Sequence, residues 1–250
     1  MKRHSAFTLI ELLVVIAIVG ILAGIILPTM AKAKMRGLTV RNKNNLKQIG
    51  YAATQFQGDN DGKPVGVGDS SGRHFFGVFE GPGLAVDYSG GYLSAYMGGE
   101  AEAWRDPLFN SFSQRARGPS CSYAYNYHYL NKLEQEGDWW EADYSYAWKG
   151  VSGAYIQAPA GTLLFGDSAR NWMGPLEENW FWTPPSEARR WAGWETAYTH
   201  FRHEGRCCVV FVDSHVEGLG PERSLPMDSD GLGYVCGTDD VLFKLNKRER

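Results

Sequence analysis

Side chains that commonly bind metals or act in catalysis fall within sixteen residues near the C-terminus. They are His200, His203, Cys207, Cys208, Asp213 and His215. Imidazole, thiolate and carboxylate groups are zinc ligands, so a metal or catalytic site could be drawn from them. The spacing is poor for it, because His200 and His203 would point to opposite faces of an extended chain, and neither Cys-x2-Cys nor His-Glu-x2-His occurs here. We therefore interpret His203 and Asp213 as a hydrogen-bonded pair that braces a hairpin.

A second possible ion site is acidic. The turn Asp228-Ser229-Asp230-Gly231 is followed by Asp239 and Asp240. Carboxylate oxygens at a glycine-containing turn suit calcium. The stretch lacks the full twelve-residue calcium-loop pattern and its closing Glu, so a simple acidic turn is the alternative interpretation. We expect no cofactor, with calcium as the candidate to test.

At the other end of the chain, residues 7–27 form an apolar run whose only polar members are Thr8 and Glu11. A helix of this length can cross a bilayer, so we expect a membrane anchor. A cleaved secretory signal has a shorter apolar stretch, whereas here a helical pattern continues beyond Pro28. Burying a carboxylate in an apolar helix costs a few kcal/mol, so Glu11 either snorkels to the interface or pairs with a partner.

The first eleven residues resemble the cleavage signal of type IV prepilins and type II secretion pseudopilins. The resemblance is carried by Lys2-Arg3-His4-Ser5-Ala6 followed by Phe7-Thr8-Leu9-Ile10-Glu11, with Ala6 in the place of the usual Gly. It implies that prepilin peptidase cuts between Ala6 and Phe7 and that the new Phe7 amine is methylated. It also implies that Glu11 pairs with the amine of a neighbouring subunit during assembly. Pro28 matches a proline that the family often has.

The apolar run is predicted to continue as one long helix, to about Gln57. Leu38, Leu46, Ile49, Ala53 and Phe56 follow a 3.6-residue spacing, and residues 58–62 are turn formers that end the helix. We expect a bend or local melting at Pro28, where a backbone donor is missing. The basic residues of this helix either face solvent or line a filament, bind anionic lipid head groups, or pair with acidic neighbours.

Strand patterns appear later in the chain. The candidates are residues 122–127, 161–167 and 207–212, with alternation resuming at His215-Val216-Glu217. Asp213-Ser214 lies where a two-residue hairpin turn would go. A type I′ turn needs positive φ at both residues, so Ser214 would either cost on the order of 1 kcal/mol or select a different turn. The region from His203 to Gly218 resembles an H-x9-DG motif that accompanies prepilin-type N-termini, with Ser214 replacing the Gly. That motif implies no biochemical activity.

Charge is distributed unevenly along the chain. Residues 1–47 hold eight Lys or Arg residues and one acid, which leaves 17 basic and 27 acidic residues from position 48 onward. An acidic bulk repels phosphate backbones, so we do not expect nucleic acid as a partner. The glycines do not form a phosphate loop and no Gly-x-Ser-x-Gly elbow occurs, so nucleotide-binding and hydrolase patterns are lacking.

Cysteine and tryptophan leave alternatives open. Four cysteines, Cys121, Cys207, Cys208 and Cys236, allow three disulfide pairings or buried thiols, and the adjacent pair would face opposite sides of a strand. A Trp-rich insertion near residues 171–198 either packs on itself or exposes rings that stack on sugars. Its tryptophans are Trp172, Trp180, Trp182, Trp191 and Trp194.

These features predict an α+β fold, with a long N-terminal helix whose second half packs on a mainly antiparallel sheet. We divide the chain into a leader (1–6), a transmembrane and amphipathic helix (7–57) and an exported globular domain (58–250). The expected function is structural rather than enzymatic, as a subunit of a type II secretion pseudopilus or type IV pilus-like filament. The resemblance implies an inner-membrane protein with a cytoplasmic N-terminus, and as partners prepilin peptidase, other pilin subunits and the assembly platform. The alternative is a membrane-tethered binding protein that uses the Trp-rich insertion for polysaccharide.

Overall fold

The computed structural model describes residues 9–69, 71–79, 85–109, 121–133, 148–171, 176–190, 197–225 and 227–245. The chain divides into two compact units, Met1–Leu38 and Thr39–Arg250. This division falls inside the long helix, whereas the boundary drawn from sequence lies at the helix end. The helices are α1 (Leu9–Asp59), α2 (Ser94–Met97), α3 (Tyr127–Leu130) and α4 (Pro185–Arg190). The strands are β1 (Tyr123–Tyr125), β2 (Asn131–Leu133), β3 (Trp148–Gly150), β4 (Leu163–Asp167), β5 (Thr199–His200), β6 (Cys207–Phe211), β7 (Val216–Leu219) and β8 (Leu232–Gly233).

The first unit contains the apolar half of α1. Its side chains are exposed, from Leu9 at 85% to Leu27 at 67%. By length and composition this helix can span a membrane, and none of its most apolar stretch is buried inside the protein. The helix runs through Pro28 without interruption, so the local melting considered at that position is absent. The neighbouring Thr29 hydroxyl donates to the Ile26 carbonyl at 2.7 Å.

In the second unit, α1 becomes a core helix, as its spacing predicts. Leu46 and Ile49 are fully buried and Ala53 nearly so. Gly50 lies at a close approach of the helix to the sheet, since a Cβ there would come within 2.8 Å of Val210 Cγ2. The helix ends at Asp59, two residues beyond the predicted end.

The main sheet has four antiparallel strands in the order β1-β4-β6-β7. Each of the four regions predicted to form strands therefore contains one strand of this sheet. The remaining strands form two small antiparallel pairs, β2 with β3 and β5 with β8. Between β4 and β6 the register shifts once, between Leu163 and Phe165.

Both faces of this sheet are covered, which explains why every residue of β4 and β6 is buried. Cys208 and Val210 face a core that includes Leu46 and Ile49 of α1. Cys207, Val209 and Phe211 face a second core around Trp182 and Phe243. Because successive strand residues point to opposite faces, the run of apolar residues in β6 serves both cores.

The hairpin between β6 and β7 has a three-residue loop, Val212-Asp213-Ser214. The Ser214 amide donates to the Phe211 carbonyl at 2.8 Å, and the Phe211 amide donates to the His215 carbonyl at 3.0 Å. Of the loop residues, Ser214 has a positive φ, 68°. A type I′ turn needs two residues with positive φ, so the loop is not of that type, and the alternative considered from sequence, a different turn at Ser214, is confirmed. The loop instead combines a turn with one left-handed residue.

Candidate functional site: the N-terminal segment and a buried polar network

The N-terminal segment begins just before the described part of the chain. The predicted scissile bond, Ala6–Phe7, lies outside the described residues. Glu11 lies in the first turn of α1 and is the acid nearest the N-terminal end of the apolar helix. Pro28 lies inside α1, close to the end of the apolar run. The roles proposed for these four residues in processing and assembly remain predictions.

A network of polar side chains lies inside the second unit, centred on His203. The imidazole Nε2 is 2.8 Å from Asp106 Oδ2 and 3.4 Å from Asp167 Oδ2. The same ring nitrogen also lies 2.8 Å from Nδ2 of Asn42, so two carboxylates and a side-chain amide surround Nε2. The other ring nitrogen, Nδ1, lies 3.0 Å from the Thr39 hydroxyl on α1. His203 thereby joins α1 to the sheet side of the core.

Arg202 supplies the positive charge of this network, and its side chain is 1% exposed. Its Nε donates to Asp106 Oδ2, and Nη2 lies 3.7 Å from Asp167 Oδ1. The guanidinium also donates to the carbonyls of Ser122 and Ser168, each at 3.1 Å. A lysine would not reproduce these bonds, because only the planar guanidinium group directs several donors at fixed angles towards carboxylate and carbonyl oxygens.

The pKa values of the Asp106 and Asp167 carboxyl groups are shifted in opposite directions. Burial alone would raise the pKa of Asp106, but Arg202 and His203 outweigh burial and hold that pKa well below its usual range. Burial raises the pKa of Asp167 above its usual range, and the nearby Asp106 charge adds to the rise. Asp106 is therefore the firmly ionised partner of Arg202.

Asn42 of α1 connects the helix to two strands. Its side-chain amide donates to Asp167 Oδ1 at 2.8 Å, and its carbonyl oxygen accepts from the Tyr123 hydroxyl at 2.6 Å. Asp167 Oδ2 also accepts from the backbone amide of Cys208 at 2.5 Å. All four residues are buried. The network thus joins α1, β1, β4 and β6.

Asp167, His203 and Cys208 place possible metal-ligand atoms within 4.8 Å of one another. Their polar atoms already have partners, since Asp167 Oδ1 accepts from Asn42 and His203 Nε2 lies 2.8 Å from Asp106 Oδ2. The buried guanidinium of Arg202 would also repel a cation at this point. The arrangement fits a structural hydrogen-bond network better than a metal centre.

The pairing expected between His203 and Asp213 is wrong. His203 bonds to Asp106, while Asp213 Oδ1 lies 2.5 Å from His215 Nδ1 in the hairpin loop. The His215 ring stacks on Phe211, with centroids 4.2 Å apart. The hairpin is therefore stabilised by contacts among its own residues, and His203 instead contacts Thr39 of α1.

The acidic residues considered for calcium fall into two groups with different partners. Asp228 and Asp230 accept from the Asn171 side-chain amide, at 3.1 and 3.0 Å. Asp240 is buried, and it accepts from the Tyr129 hydroxyl at 2.7 Å and from the Ser186 amide at 2.9 Å. Asp240 also accepts from the Ser186 hydroxyl. Asp239 lies 3.4 Å from the Val241 amide. Calcium binding here remains a prediction, and these bonds favour the simpler interpretation as turn and helix caps.

The tryptophans of the Trp-rich insertion that the structure describes point inward. Trp182 is buried, and its indole nitrogen donates to the Thr199 hydroxyl at 2.7 Å. Trp180 packs against the other core. Trp172, Trp191 and Trp194 lie outside the described residues. The described rings thus favour self-packing over a sugar-stacking surface.

The cysteine side chains are buried on both sides of the sheet. Cys121 and Cys208 belong to the core that contains α1, and Cys207 and Cys236 to the opposite core. This confirms that the adjacent pair, Cys207 and Cys208, faces opposite sides of its strand. Burial raises the pKa of the Cys121, Cys207 and Cys208 thiols, which makes them unreactive.

Comparisons with known proteins bear on the N-terminal segment. Residues 1–27 match the family model for the prokaryotic N-terminal methylation motif. Over 59 residues the chain is 42% identical to the type IV major pilin protein PilA of Myxococcus xanthus (strain DK1622). That alignment covers 24% of this chain and 27% of the pilin, so the chain spans about a quarter of the curated relative it matches. No solved structure matches the chain. The chain therefore carries a prepilin-type cleavage and methylation signal, followed by a pilin-like α+β fold with a long apolar N-terminal helix and an antiparallel sheet.

Proposed function

We propose that this protein is a structural subunit of a type IV pilus-like filament or type II secretion pseudopilus. The observation that carries the proposal is the methylation motif at residues 1–27, which includes the start of an apolar helix whose side chains are exposed. An exposed apolar helix needs a bilayer or other apolar helices around it. A subunit that is first membrane-bound and then polymerised provides both environments in turn.

In this proposal, prepilin peptidase cuts between Ala6 and Phe7 on the cytoplasmic side, and the Phe7 amine is methylated. The apolar run holds the subunit in the inner membrane, with the second unit exported. Assembly then transfers the helix into the core of a filament, next to other pilin subunits and with the inner-membrane platform as the assembly site. No reaction is assigned to the protein itself.

Glu11 has a specific role in this scheme. Its carboxylate lies among exposed apolar side chains near the start of α1, where a charge is costly in hydrocarbon. The methylated amine of Phe7 in a neighbouring copy is a positive group of complementary charge at the same end of the helix. Pairing between them would lower the cost of moving both charges into an apolar filament core.

The buried network supports a structural function for the second unit. It ties Thr39 of α1 to His203, and Asn42 of α1 to Tyr123 of β1 and Asp167 of β4, all of which lie more than 80 residues later in the chain. A filament subunit needs its surface domain held firmly to the helix that anchors it. Hydrogen bonds and ion pairs at this connection, added to apolar packing, fix the helix in one register on the sheet.

The test is incorporation of a Glu11→Ala variant into filaments in its own host. We expect the variant to be cut and retained in membranes, but to be lost from the sheared filament fraction. Glu100→Ala is the matched control, because Glu100 is an exposed acid of the second unit and should incorporate normally. Normal incorporation of Glu11→Ala, or absence of the wild-type chain from every filament fraction, would overturn the proposal.

A further inference from the structure

A short basic stretch follows the apolar run within the first unit. It contains Lys32, Lys34 and Arg36, and no acid occurs between Glu11 and Asp59. Lys32 and Lys34 are exposed on α1. Lys32 and Lys34 therefore have no acidic residue near them along the helix.

The position of these lysines along the helix matches the head-group layer of a bilayer. The described apolar run, Leu9 to Leu27, is about 28 Å long at 1.5 Å per residue, close to the hydrocarbon thickness of about 30 Å. Lys32 and Lys34 follow Leu27 by about 7.5 and 10 Å along the axis. The head-group region on each side is roughly 5–7 Å thick, and a lysine side chain can reach back several ångströms towards it.

Apolar side chains are interleaved with these lysines. Met30 is 63% exposed, and Ala33 and Met35 separate the three basic residues. A fully solvated helix face gains nothing from an exposed methionine, whereas the boundary between acyl chains and head groups accommodates apolar and cationic side chains together. The composition therefore favours a lipid surface over water at this turn of the helix.

We propose that Lys32 and Lys34 bind the phosphate groups of anionic phospholipids while the subunit is in the membrane. This rests on the proposed function, in which the helix spans a bilayer before assembly. Binding at this end would fix the depth of the helix and so hold Glu11 near the opposite interface. Since the attraction is electrostatic, it weakens as salt shortens the Debye length.

The test uses the full chain reconstituted in phosphatidylcholine vesicles that contain traces of spin-labelled lipid. Electron spin resonance measures the share of labelled phosphatidylglycerol and of labelled phosphatidylcholine that is immobilised by the protein. The variant Lys32→Gln/Lys34→Gln is compared with Lys43→Gln/Lys47→Gln, which removes the same charge from α1 in the second unit. Each sample is measured at low salt and in 0.5 M sodium chloride.

We expect the wild type and the Lys43/Lys47 variant to prefer phosphatidylglycerol at low salt, and the Lys32/Lys34 variant to lose about threefold or more of that preference. High salt should reduce the wild-type preference in the same way. An unchanged preference in the Lys32/Lys34 variant, or an equal loss in the control variant, would overturn the proposal. If the Lys32/Lys34 variant keeps its lipid preference but no longer cross-links to other copies of the chain, the proposal is also overturned. The two lysines would then bind a second chain and not lipid. If neither labelled lipid is immobilised, the helix does not span the bilayer, and it is the proposed function that fails.

Discussion

The side-chain amide of Asn42 lies 2.8 Å from Asp167 Oδ1, a bond that joins the long helix to the central sheet across 125 residues of sequence. Asn42 also accepts from the Tyr123 hydroxyl at 2.6 Å, so one buried side-chain amide forms hydrogen bonds to side chains of two strands, β4 and β1. Apolar packing of Leu46 and Ile49 supplies hydrophobic stabilisation, but it tolerates small shifts of the helix. The Asn42 bonds permit one register, because a shift would leave buried polar groups unpaired.

Replacing Asn42 by Ala should destabilise the second unit strongly. The change leaves Asp167 Oδ1 and the Tyr123 hydroxyl without their Asn42 partner in a buried setting, which costs about 3 kcal/mol. Urea unfolding of the chain in detergent gives the free energy of unfolding. Asn44→Ala is the control, because Asn44 is exposed on the same helix and should change stability by less than about 0.5 kcal/mol. Equal effects of the two substitutions would contradict the importance of the network.

Stability should fall as pH decreases from about 6.5, because of His200. Burial, with the charge of Arg202 in addition, lowers the pKa of His200 to about 3. Its Nε2 donates to the Asp230 carbonyl at 3.1 Å and its Nδ1 accepts from Arg202 at 2.9 Å, so the ring is neutral in the fold. The unfolded chain binds a proton at this residue below about pH 6.5, which favours unfolding by up to about 1.4 kcal/mol per pH unit.

Asp106 adds to this acid sensitivity at lower pH. The pKa of Asp106 is depressed in the fold, so its contribution to stability is present above the unfolded pKa near 4 and is lost as pH falls below that.

The contribution of His200 is tested between pH 6.5 and 5. There, His200→Gln should flatten the dependence of unfolding free energy on pH, whereas His128→Gln, at a partly exposed site, should leave more of the slope in place. Identical slopes for the wild type and His200→Gln would show that His200 binds its proton in the fold.

Ser214 should be less tolerant of Ala than of Gly. Its φ of 68° is strained for any residue with a Cβ, and its hydroxyl lies 2.8 Å from Thr54 Oγ1. Gly relieves the strain and loses the hydrogen bond, which are effects of about 1 kcal/mol each and opposite in sign. Ala keeps the strain and loses the bond, so it should be about 1 kcal/mol less stable than Gly in thermal or urea unfolding. If Ala is as stable as Gly, the loop does not hold Ser214 in the left-handed region.

The sequence predicts the elements well where the signal is periodic. The 3.6-residue spacing of Leu46, Ile49 and Ala53 identifies the buried face of α1, and the β-branched run of β6 identifies a central strand. Both patterns arise because burial follows the geometry of one element. The apolar N-terminal run is equally direct, since its length and composition alone allow a membrane span.

The buried network could not be predicted from the same signals. Asn42, Asp106 and Asp167 are polar residues that lie far apart in sequence, and nothing local indicates that they meet inside the core. The sequence indicates a structural role for His203 but predicts the nearby Asp213 as its partner, whereas the structure places the distant Asp106 beside it. The hairpin loop likewise involves a distant residue, since the Ser214 hydroxyl lies 2.8 Å from Thr54 Oγ1 of α1, which is 160 residues away.

The intact mass and N-terminal sequence of the protein from membranes of its own host test the central claim most directly. We predict a chain that begins at Phe7 and is heavier than its sequence by one methyl group. An Ala6→Gly variant should reach the same product at least as fast, because it restores the residue usual in prepilin signals. A wild-type chain that still begins at Met1, in cells whose peptidase cuts other prepilins, would contradict the account and indicate a permanent membrane tether.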